Sequence, residues 1–128
     1  MQKLFLSIAE EDVGRLKQIV QECALADSRC DFYEGPFVPF DSAEADPLKR
    51  VIGEKISHCD MTVCFIGENT HKSPWVDCQL RKSRQKGNKI IAMALKGVKI
   101  AVLPEVVREE NLQFYPWDPR RITKLLID

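Results

Sequence analysis

The residues with most to offer chemically fall in one stretch, Ser57 to Leu80, which reads SHCDMTVCFIGENTHKSPWVDCQL. Met61 to Ile66 is a short apolar run, and it fits a strand buried on both faces, as in a parallel sheet. Gly67 ends the run, and Glu68 to Lys72 make a polar loop. Ser73 before Pro74 is the N-cap and first-turn pairing of a new helix. On that helix Trp75 and Gln79 stand one turn apart and share a face near its N-terminal end. A strand, a loop and a helix N-terminus form the corner at which open α/β sheets receive small ligands. At that corner Gln79 supplies an amide, which hydrogen-bonds but carries no charge.

The other reactive residue types point away from metal and redox chemistry. Cys23, Cys30, Cys59, Cys64 and Cys78 form no CxxC pair, and His58 and His71 lie apart from any metal-ligand spacing. Most of these cysteines fall on apolar faces, where a free Cys behaves as a small hydrophobe. No metal site is expected.

The elements that must position these residues follow in order. Lys3 to Ile8 reads as a first strand. Glu10, Glu11 and Asp12 lead into a helix on which Val13, Leu16, Ile19, Val20 and Cys23 recur at helical spacing. Cys30 to Tyr33 is a short second strand, and Glu34 to Asp46 is a long loop with Gly35, Pro36, Pro39 and two Phe. Loops of that length in compact domains tend to be functional. Pro47 opens a second helix through Ile56. The central strand and the Trp75 helix follow, the latter stopping at Gly87. Lys89 to Leu95 is a further buried strand, while Lys99 to Leu103 reads as strand or irregular loop. Leu112 to Tyr115 is a last strand, and Asp118 and Pro119 start a final helix.

Strands alternating with helices imply a parallel sheet covered on both faces. Five strands suit a flavodoxin-like α/β three-layer sandwich of order 2-1-3-4-5, filling residues 1–128 as a single domain. Its crevice opens at the C-terminal ends of the first and third strands. Ser7 to Glu11, the loop after Tyr33 and the loop Gly67 to Ser73 then surround one pocket, and the Trp75–Gln79 face adjoins it.

Nineteen Lys and Arg balance nineteen Asp and Glu, so the formal net charge is zero. With no long basic run, a nucleic-acid binder is not expected. No apolar segment approaches the ~20 residues that span a bilayer, so no membrane role is expected either. The chain opens on a strand-like MQKLFLSI without a visible signal peptide, and a cytoplasmic location is expected.

The central stretch, taken with Phe5-Leu6-Ser7-Ile8, Asp31-Phe32-Tyr33, Ile66-Gly67-Glu68-Asn69-Thr70, Ser73-Pro74-Trp75-Val76 and Gly87-Asn88-Lys89-Ile90-Ile91, resembles TIR-like domains. It is most similar to the bacterial type found in Thoeris antiphage systems. The resemblance covers nearly the whole chain. It implies NAD⁺ as substrate, cleaved between nicotinamide and ribose into ADP-ribose, a cyclised product or a conjugate. It further implies that this product signals to a separate effector protein during phage infection, and that the domain can self-associate. The implied ligand-binding residues are Ser7, Ile8, Ala9, Tyr33, Asp46, Thr70 and Trp75. The family's catalytic glutamate falls at Gln79. Positive charge builds on the ribose as nicotinamide leaves, so a carboxylate is wanted there. Gln79 is either a Glu→Gln replacement that holds NAD⁺ uncleaved or the native residue of a non-catalytic TIR-type scaffold. Because Glu and Gln have similar helix propensities, folding is expected to be indifferent to which stands at 79. A receiver domain and a flavodoxin share the sheet order. The third strand, however, ends in Ile66-Gly67 rather than in a phosphorylatable Asp, and no Ser/Thr-rich phosphate loop follows the first.

Overall fold

The computed structural model describes residues 2–127. Five strands form one parallel sheet in the order β2-β1-β3-β4-β5. They are β1 (Leu4–Ser7), β2 (Cys30–Phe32), β3 (Met61–Ile66), β4 (Lys89–Ala94) and β5 (Phe114–Tyr115). The helices are α1 (Leu16–Glu22), α2 (Ala45–Ser57), α3 (Pro74–Lys86), α4 (Glu105–Glu109) and α5 (Pro119–Leu125). The expected flavodoxin-like α/β architecture is therefore present, strand order included.

The two faces of the sheet are set by strand parity. Leu4 and Leu6 of β1, Val63 and Phe65 of β3, and Ile91 and Met93 of β4 pack with Leu16 and Ile19 of α1 and Ile122 of α5. The alternate residues turn the other way. Cys64 and Ile66 of β3 and Ile90 and Ala92 of β4 meet Val76 and Leu80 of α3 and Val106 and Val107 of α4. Phe5 packs with Ala45, Ile52 and Ile56 of α2 and with Trp75. Every residue of β3 is buried, which is why that segment reads as a continuous apolar run.

Local signals account for α3. The Ser73 hydroxyl accepts the Val76 N–H at 3.1 Å, Pro74 occupies the first turn, and Gly87 closes the helix in the left-handed region at φ 86°. Some boundaries differ from the sequence reading, the last strand among them, which spans only Phe114–Tyr115. The segment Glu10–Arg15 is a 3-10 turn that becomes α-helical only at Leu16. Helix α2 starts at Ala45, before Pro47, because a proline in the first turn forfeits no intrahelical hydrogen bond. The residues from Lys99 to Leu103 are irregular, which resolves the alternative left open there.

Candidate functional site

Ser7 shares the parity of Phe5 and so faces the α2–α3 side of the sheet. It pairs with Cys64, two residues before the end of β3. Its hydroxyl donates to Oε1 of Gln79 at 2.5 Å, and both residues are buried, at 0% and 1% exposure. From Gln79 the polar connections continue downward. Ser83 Oγ donates to the Gln79 carbonyl at 2.8 Å and shares a 2.7 Å hydrogen bond with Thr62 Oγ1 of β3. Four polar residues thereby join β1, α3 and β3 through the interior, each with a partner, as buried polar groups require. The height of position 79 is fixed by the sheet.

Trp75 lies on the same buried face of α3, at 2% exposure. Its indole N–H donates to the Val38 carbonyl at 3.1 Å. The rings of Phe37 and Phe40 meet it edge-on, at 5.7 and 5.1 Å between centroids. Tyr33 in turn meets Phe37 at 5.2 Å and donates its hydroxyl to the Pro36 carbonyl. Lys49 of α2 sits 4.0 Å over the Phe40 ring. The loop after β2 is thus a packed strap laid across Trp75, and Trp75 is its anchor.

Above Ser7 and Gln79 an open cleft of about 270 Å³ is lined by Ala9, Glu10, Glu11, Asn69, Lys72, Ser73 and Pro74. Here the Ser73 hydroxyl, besides capping α3, donates to Oε1 of Glu10. Beyond it, Asp12 crowds Gly67. A Cβ at Gly67 would stand 2.4 Å from Asp12 Oδ2, so this turn admits no side chain without moving the carboxyl. Burial, and then the neighbouring Glu11, hold the Asp12 carboxyl above its ordinary pKa. Among the described residues no group of three His, Cys, Asp or Glu is placed to hold a metal ion. The five thiols are free, and burial raises them all, Cys64 to about 12.

The residues singled out from sequence distribute unequally. Ser7, Gln79 and Trp75 come together, but in the interior. Ala9 lines the cleft. Ile8 is buried in the cluster with α1. Thr70 is buried too, its hydroxyl accepting the Gly67 N–H at 2.7 Å, so it shapes the turn. Tyr33 is engaged by the strap. Asp46 is exposed in the first turn of α2, at 4.0 Å from Lys49, away from the Ser7–Gln79 contact and from the cleft lining. What the sequence did not specify is the pairing of Glu10 with Ser73. An acid just past the first strand and a serine N-cap at the same sheet end were the available signal. The arrangement offers a hydroxyl and a neutral amide in the interior, with a carboxylate in the cleft above them.

The family described as "Thoeris protein ThsB, TIR-like domain" matches residues 5–100. No match was found among curated proteins. Among solved structures, the CMP N-glycosidase BcmB of Clostridium botulinum superposes with a TM-score of 0.57 at 16% identity, covering 97% of this chain and 98% of that one. The TIR domain of the Toll-related receptor TRR-2 from Hydra magnipapillata gives 0.55 at 14% identity, covering 89% and 84%. At such identities the likeness is one of fold.

Proposed function

Because the chain belongs to the TIR-like domain family of Thoeris protein ThsB, we propose that its site takes NAD⁺ and serves cleavage of the nicotinamide–ribose bond. The product is an ADP-ribose-derived signal, cyclic or conjugated, that acts on a separate effector protein in antiphage defence. The observation that carries this reading is the 2.5 Å contact between Ser7 and Gln79. It sets position 79 at the C-terminal end of β1, beside the switch point where ligands of such sheets bind. A carboxylate at 79 would sit against the developing oxocarbenium ion and accept from the ribose hydroxyls. The amide of Gln79 keeps the hydrogen-bonding capacity and lacks the charge, so the chain with Gln79 holds its nucleotide and cleaves it poorly.

Nicotinamide release and product mass, measured for the chain and for Gln79→Glu, test this. The glutamate variant is expected to gain ~10²-fold or more in rate. A folded variant that binds NAD⁺ and releases no nicotinamide, with the phage trigger present, overturns it. The second reading is a non-catalytic TIR-type module working by self-association. It is favoured by the neutrality of Gln79 and by its engagement with Ser7 in the interior. Under it, light scattering detects an assembly whose size is the same for both residues at 79.

A further inference from the structure

Gln79 is neutral and buried, with Ser7 donating to its oxygen, so a ribose at this corner must find its anionic partner elsewhere. Glu10 is positioned to be that partner. It follows Ser7 by three residues, and its tether, Ser73, precedes Gln79 by six. Along α3 that is roughly 9 Å nearer the helix start, at ~1.5 Å per residue. The Glu10 carboxylate thus stands toward the start of α3 from the Ser7–Gln79 contact, in the wall of the open cleft. One oxygen is fixed by Ser73 Oγ. Among the described residues the other accepts from no donor, and it remains available. Fixing one oxygen holds the side chain in a single orientation, and the N-terminal end of a thirteen-residue helix favours a negative charge beside it.

Resting on the nucleotide reading of this site, we propose that Glu10 is a ribose-binding residue. Its free oxygen accepts from the hydroxyls of the ribose that carries nicotinamide, and Ser73 acts as the positioning residue that holds it. A carboxylate accepting from a vicinal diol discriminates ribose from deoxyribose, because removal of the 2′-hydroxyl deletes a charge-assisted hydrogen bond. Glu10 therefore supplies recognition of the sugar even where position 79 is neutral.

The test is calorimetric titration of the chain with NAD⁺ and with the NAD⁺ analogue lacking the 2′-hydroxyl of the nicotinamide ribose. The chain is expected to prefer NAD⁺. Glu10→Gln is expected to weaken NAD⁺ binding by about tenfold or more and to reduce that preference, since the amide still accepts but without charge. Ser73→Ala, which leaves the carboxylate but frees it, is expected to weaken NAD⁺ binding several-fold. Equal NAD⁺ affinities for the chain and Glu10→Gln overturn the proposal. A Ser73→Ala variant that melts lower yet keeps both the affinity and the preference overturns the positioning role of Ser73, which is then only the helix cap. A chain that binds neither compound overturns the nucleotide reading itself and this assignment with it. Glu10→Gln alone failing, against a chain that binds, leaves the nucleotide reading standing.

Discussion

Gln79→Glu is informative about folding before any turnover is measured. Helix propensity predicts indifference to the exchange. The structure predicts otherwise, because the side chain is 1% exposed and Ser7 donates the hydrogen bond that its oxygen accepts. A carboxylate in that place loses its water and keeps Ser7 as its donor. The Ser7 bond strengthens by becoming charge-assisted, but a buried ion with a single donor remains under-solvated. We expect a net loss of about 2–4 kcal/mol at neutral pH. For a chain of this length roughly 3–4 °C in Tm accompanies each kcal/mol. The sign with pH follows from burial. The folded state raises the pKa of the introduced carboxyl above the ~4.3 of the unfolded chain. Below that unfolded value the group is protonated in both states, resembles the amide, and costs little. As pH rises through the folded value the full penalty develops. Thermal melts of both proteins at pH 4, 6 and 8 check this: the gap should be smallest at pH 4 and widest at pH 8. Coincident melts at pH 8, or a gap widest at pH 4, would refute the idea that position 79 is a dry site.

Three further outcomes are expected. Trp75→Ala removes the anchor of the strap, so it should cost about 3–5 kcal/mol in urea unfolding and speed chymotrypsin cleavage after Phe37 and Phe40. Asp12→Asn should stabilise the chain at pH 7 and not at pH 3, because a carboxyl whose pKa folding raises opposes folding only once it ionises; denaturation at the two pH values reads this directly. Thiol labelling of the native chain should begin at the half-buried Cys78, whereas Cys64, pushed up to about 12, should react only on unfolding.

The framework of the fold was legible because it is written in local chemistry. Ser73, Pro74 and Gly87 delimit α3 by capping alone, and Met61–Ile66 announces a strand covered on both faces. The proximity of Trp75 and Gln79 to Ser7 followed from strand order. The strap was not legible. Its course depends on where Phe37 and Phe40 find an aromatic partner remote in sequence, and no periodicity encodes that. For the same reason the interior placement of Trp75 and Gln79 could not be read from their helical spacing. Spacing tells which side chains share a face, and the strap over Trp75 and the Ser7 end of β1 against Gln79 decide whether water reaches it. Glu10 was visible as an acid near the crevice, but its partner became apparent only when β1 and α3 met.

The lengths of the outermost strands have a consequence for how copies of this chain could meet. β2 spans Cys30–Phe32 and β5 only Phe114–Tyr115. Such short margins present little unpaired backbone, too little to template the addition of a strand from a neighbouring molecule. An assembly of this domain would therefore join through helices and loops, by side chains rather than by extending the sheet, and would come apart through point substitutions at those surfaces with the sheet left intact.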